Sequence, residues 1–186
     1  MPLTTYTAGE VLTASSLNSN LTAAGGLQFI KSQTIGSGVS SVTVSGAFST
    51  TYDNYKIIIS GGVASATNTL NLTLGSTASN YGRLQPLYAY NSSALTVDND
   101  NFTSLFVVAA GGSVNGLSGT IEVLQPFNAT ATSLYGSLQS LVAGAAFGVR
   151  HTFGALLNTT SYTAFTLTTS TGTITGGTIS VYGYAK

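Results

Sequence analysis

Thr69-Leu70-Asn71-Leu72-Thr73-Leu74 decides the fold class. Leucine alternates strictly with a polar residue, and period two is the repeat of an extended chain whose successive side chains point to opposite faces. The same period runs through Val42-Thr43-Val44, Phe165-Thr166-Leu167-Thr168 and Ile179-Ser180-Val181-Tyr182. Ile57-Ile58-Ile59 and Leu105-Phe106-Val107-Val108 are unbroken apolar runs and read as strands covered on both faces. Turn signals separate these stretches: Gly36-Ser37-Gly38, Gly61-Gly62, Gly111-Gly112, Asn115-Gly116 and Gly176-Gly177. About ten short strands joined by glycine-rich turns predict an all-β, antiparallel, jelly-roll-like sandwich over residues 27–186.

Residues 1–26 read differently. Thr13 is placed to cap a short helix beginning at Ala14, Leu17 and Leu21 then share one face, and Gly25-Gly26 ends it. Two helical turns do not stand alone in water. The segment is therefore expected to be a docking arm, with Leu12, Leu17 and Leu21 as its apolar contacts. No fixed-period repeat is visible, so a shaft of stacked repeats is not expected.

Composition restricts the function. Only 5% of the 186 residues are charged, against roughly 25% in an average soluble domain. Five acids balance five bases, so the basic patch that nucleic-acid binding requires is not expected. The longest apolar runs reach half a bilayer span at most, and the opening residues lack a basic stretch followed by an apolar core. Neither membrane insertion nor a secretion signal is expected. Ser and Thr exceed a quarter of the chain. Hydroxyls hydrate a surface, but they repel a neighbouring copy weakly, which predicts a surface largely buried in a homo-oligomer.

The chemically active residues are few. With no Cys and one His, a transition-metal site lacks ligands. The nucleophile-elbow and phosphate-loop patterns are absent. Asp98-Asn99-Asp100-Asn101 reads as a solvated turn, since it lacks the glycine and distal glutamate of a calcium loop. His151 alternates with Val149 and Phe153 on one strand face, opposite Arg150 and Thr152. Glu122 lies on the face opposite Ile121 and Val123, where solvent or a subunit partner such as Arg83 or Arg150 of another copy would satisfy it. No enzyme, cofactor or metal is expected. Tyr81, Tyr88, Tyr90 and Tyr135 are candidates for a sugar-stacking surface.

Four stretches, in order, resemble small virion proteins of tailed bacteriophages, particularly those infecting cyanobacteria. They are Tyr6–Ala14 with Leu17-Asn18-Ser19-Asn20, then Phe48–Ile57 containing Tyr52-Asp53-Asn54-Tyr55, then Gly119–Val123 leading to Pro126-Phe127, and finally Gly177–Gly183. The resemblance implies a multimerising β-sandwich, often a trimer, attached through its N-terminal segment to other virion proteins. It implies no catalytic residues. A tail fibre or tail-associated appendage is the leading expectation. The alternatives are a capsid decoration or head-fibre protein and, from another class, a tip that binds host surface glycans.

Overall fold

The computed structural model describes residues 6–18, 25–66, 69–104, 106–110, 116–142 and 146–186. Fourteen strands are present among them: β1 (Leu27–Thr34), β2 (Ser41–Val44), β3 (Asn54–Ser60), β4 (Val63–Ala64), β5 (Thr69–Leu74), β6 (Tyr81–Ala89) and β7 (Leu95–Thr103), then β8 (Phe106–Ala110), β9 (Ser118–Leu124), β10 (Thr132–Val142), β11 (Ala146–Leu156), β12 (Phe165–Thr169), β13 (Ile174–Thr175) and β14 (Thr178–Tyr184). Every pairing is antiparallel.

A large sheet has the order β1-β14-β3-β9-β10-β11-β6-β7 and a small one the order β2-β12-β5-β8, with β4 and β13 forming a separate pair. The connectivity is that of a jelly roll. Counting only β1, β2, β3, β5, β8, β9, β12 and β14 as strands one to eight, the sheets read 1-8-3-6 and 2-7-4-5. Two hairpins are inserted into this frame. β6–β7 follows the fourth strand and β10–β11 the sixth, and together they extend the large sheet as a wing, β10-β11-β6-β7.

Alternation builds the core. Leu70, Leu72 and Leu74 of β5, Val42 and Val44 of β2, and Phe165 and Leu167 of β12 are buried from the small sheet. Tyr55, Ile57 and Ile59 of β3, Ile121 and Val123 of β9, and Ile179 and Val181 of β14 belong to the same cluster from the large one. Each such side chain contributes about 1.5–3 kcal/mol of transfer free energy. A void of about 10 Å³ among Ile35, Ile59, Leu70 and Ile174 has room for roughly one water, so the sandwich interior is filled rather than hollow.

Phe106 joins the wing to the jelly roll. Its ring meets Tyr81 edge-on at 4.7 Å and lies over Gly154 of β11, where a Cβ would come within 2.6 Å of it. Glycine at 154 is thus what lets β8 approach the wing.

Three expectations need correction. Asp98–Asn101 is not a turn but part of β7, paired along β6. Ile57-Ile58-Ile59 is covered on one face only, with Ile57 and Ile59 buried and Ile58 half-buried on the other side. Tyr81 is buried, its hydroxyl accepting from Leu74 N at 2.9 Å and donating to Thr77 O at 3.2 Å. It therefore belongs to the core and not to a sugar-stacking surface.

In the N-terminal segment, residues 14–18 form one helical turn. Thr13 caps it as expected, its Oγ1 accepting from Ser16 N at 3.1 Å. Leu12 and Leu17 are exposed. Leu21 lies outside the described residues, as do Gly111, Gly112 and Asn115 of the expected turns.

Candidate functional site

The two outer faces of the sandwich differ in kind. On the small sheet, Ser41 and Thr43 of β2, Thr166 and Thr168 of β12, and Asn71 and Thr73 of β5 point away from the core and stand side by side. The Thr43 and Thr166 hydroxyls are 2.9 Å apart and hydrogen-bonded. Ser41 and Thr43 are exposed here and Thr73, Thr166 and Thr168 half-buried, so this face meets water through hydroxyls, whereas Asn71 is buried.

On the large sheet, one cross-strand row passes through all eight strands: Phe29, Tyr182, Lys56, Glu122, Tyr135, Phe153, Leu84 and Asn99. Phe29 is 61% exposed and Phe153 51% exposed. Tyr135, Leu84, Tyr88, Leu95 and Val97 are also exposed on this face. The Phe29 and Tyr182 rings meet edge-on at 5.6 Å, as do those of Tyr88 and His151. A depression of about 240 Å³ opens among Thr120, Glu122, Tyr135, Ser137, His151 and Phe153. Tyr88 and Tyr135, two of the four tyrosines singled out from the sequence, thus share this face with His151 and Phe153. Tyr90 is exposed in the turn after β6.

Glu122 is the charge at the centre of the row, and it is buried. Lys56 Nζ donates to Oε1 at 3.0 Å and the Tyr184 hydroxyl donates to Oε2 at 2.6 Å. Burial raises the Tyr184 hydroxyl well above the ordinary tyrosine value, and the hydrogen bond and negative charge of Glu122 raise it further. Within its own chain Glu122 is satisfied by Lys56 and Tyr184 rather than by either arginine. Lys56 is the cross-strand neighbour on β3, and both arginines lie on the opposite face of the wing.

There, Arg150 is buried and donates to Asp98 Oδ2 at 3.0 Å and to Gln85 Oε1 at 2.8 Å. Gln85 in turn donates to Thr152 Oγ1 at 2.6 Å and accepts from Arg83. Burial pushes the Arg150 guanidinium below its ordinary value, and Asp98 works against that shift. This polar network shares the inner side of the wing with the buried Leu87, Leu134, Leu138, Leu156 and Tyr81. Alternation around His151 was readable in the sequence, but which of its two faces would be covered was not.

Among the described residues, no group of three or more His, Cys, Asp or Glu side chains could hold a metal ion. The outer face instead offers rings and aliphatic groups around a depression, and Glu122 there is neutralised within the chain by Lys56. In comparisons with known proteins, no family model and no curated protein matches this chain.

Proposed function

We propose that this chain is a structural subunit of a tailed-bacteriophage virion, a tail fibre or tail-associated appendage. Residues 1–26 attach it to other virion proteins, and residues 27–186 assemble with further copies. The observation that carries this reading is the contrast between the outer faces. The hydroxyl face of the small sheet is how this chain meets water. The large sheet departs from that pattern with Phe29, Tyr135, Phe153, Leu84, Tyr88, Leu95 and Val97 all exposed, which marks an interaction site. The ordered resemblance to phage virion proteins supplies the setting.

The test is incorporation into particles. Full-length protein enters the virion, and a chain lacking residues 1–26 does not; normal incorporation of the shortened chain would reject the arm. Copy number per particle separates a tail appendage, present in few copies, from a capsid decoration protein, present in many.

A second reading has its own observation. The depression beside Tyr135, His151 and Phe153 combines rings for stacking with Ser137, Thr120 and Glu122 for hydrogen bonding, which suits a host surface glycan. A glycan array with no signal, or a signal undiminished by Tyr135→Ala, removes that reading.

A further inference from the structure

We propose that the depression on the outer face of the large sheet is a subsite for one neutral pyranose ring of a glycan. This rests on the second reading above, that the depression takes a host surface glycan, and it names the class of sugar and the side chains that select it.

Strand register supplies the geometry. Two parallel rows cross β9, β10 and β11 on the outer face: Glu122, Tyr135 and Phe153 in one, Thr120, Ser137 and His151 in the other. The rows lie two residues apart along each strand, about 6.6–6.8 Å. The first row offers two rings, 43% and 51% exposed. The second offers two hydroxyls and an imidazole. A pyranose has the same divided character, with carbon-bound hydrogens on its faces and hydroxyls around its rim. Its face covers a ring while its rim reaches the polar row. The depression measures about 240 Å³. Pockets for drug-sized ligands run from roughly 300 to 1,000 Å³, so this one holds about a single sugar ring.

Hydrogen-bonding capacity here is unused. Among the described residues, the side chains of Thr120, Ser137, Tyr135 and His151 make no hydrogen bond within the chain. On the small sheet, by contrast, the Thr43 and Thr166 hydroxyls satisfy each other. The backbone offers nothing further, because β9, β10 and β11 are interior strands paired on both sides. An extended peptide that binds by adding to a free sheet edge finds no edge at this place.

Charge selects the class of sugar. Among the described residues, Glu122 is the one acid lining the depression, and no Lys or Arg lines it. The Glu122 oxygens already accept from Lys56 and Tyr184. A basic amino sugar therefore meets a carboxylate whose charge is matched. Lys56 Nζ is held at 3.0 Å by the same carboxylate, so a uronate or sialate finds no free cation. A neutral sugar loses nothing by this. Each carboxylate oxygen keeps a second lone pair with which to accept from a sugar hydroxyl.

Saturation-transfer NMR of the full-length chain tests the proposal. Dextran, galactan and mannan oligosaccharides are the neutral probes, oligogalacturonate the acidic one and chitosan oligosaccharides the basic one. The expected result is a signal from a neutral probe and none from the charged ones, unchanged between about 50 mM and about 500 mM NaCl because no ion pair contributes. Phe153→Ala and Ser137→Ala each weaken binding roughly fivefold, and Thr43→Ala on the opposite face leaves it unchanged. Unchanged circular dichroism confirms that the variants fold. Binding that requires Tyr135 but favours a charged probe, falls with salt, or survives both Phe153→Ala and Ser137→Ala would overturn the neutral subsite and leave the glycan reading standing. No binding to any probe, or binding undiminished by Tyr135→Ala, would remove both. The virion assignment is tested separately, by incorporation into particles.

Discussion

The Tyr184 hydroxyl donates to Glu122 Oε2 at 2.6 Å across the outer face of the large sheet, from a strand two places away in the order β14-β3-β9. Lys56, on the strand between them, holds the other carboxylate oxygen. Two donors from the same chain therefore satisfy a buried acid, and no partner subunit is needed for it.

Glu122→Leu leaves the jelly roll intact but lowers its stability by about 1–2 kcal/mol, because the Tyr184 hydroxyl loses its acceptor while the partly exposed Lys56 ammonium turns to water. Tyr184→Phe costs about 1 kcal/mol. Urea unfolding of both variants and of the double variant checks this. Because the two share one hydrogen bond, the double variant loses less than the two single losses added together.

Asp98→Asn destabilises more than the exposure of Asp98 suggests. Its side chain is 49% exposed, but that of Arg150 is only 7% exposed, so removing the acid leaves a buried guanidinium without its counter-charge. A loss of roughly 2–3 kcal/mol is expected, measured as a lowered urea midpoint with unchanged slope.

Gly154→Ala separates the wing from the jelly roll. The added Cβ would sit 2.6 Å from Phe106 Cε1, and relieving that contact costs about 1–3 kcal/mol. Hydrogen exchange should quicken in β8 and β11 before it does in β3 or β14.

Alkali weakens the fold. Burial pushes Tyr81 up to about 12, whereas an unfolded tyrosine ionises near pH 10. The folded chain therefore keeps a proton that the unfolded chain gives up. Tyr81's contribution is fully present below about pH 10 and is lost as pH rises toward its folded value, a change of roughly 3 kcal/mol. Thermal melts between these limits, followed with phenolate absorbance, should show the fall. Tyr81→Phe should flatten it.

Local pattern carried much of this architecture. Thr69–Leu74 buries Leu70, Leu72 and Leu74 as its alternation requires. Tyr55 anchors the chain as it enters β3 by accepting from Ser49 N and donating to Ser49 O and Tyr52 O. The helix cap at Thr13 is equally local. Asp98-Asn99-Asp100-Asn101 misled because these residue types favour turns when only their neighbours along the chain are considered. Arg150, 52 residues away, gives Asp98 a charged partner within a sheet. Gly61-Gly62 and Gly176-Gly177 were each legible as turns. That they touch, with a Cβ at Gly177 falling 2.6 Å from the Gly61 carbonyl, was not.

By itself the sequence determined the class of fold: period-two leucines, branched residues and glycine punctuation admit strands and turns, and a near absence of ions demands a surface of hydroxyls. Strand order, the wing and the choice of outward face were decided only by tertiary structure. The physical reason is that alternation specifies two faces without saying which one will be covered. In the wing, Leu134, Leu138, Leu156 and Tyr81 take the inner side together with the Arg150–Asp98–Gln85 network, and Phe153, Tyr135 and Leu84 face out.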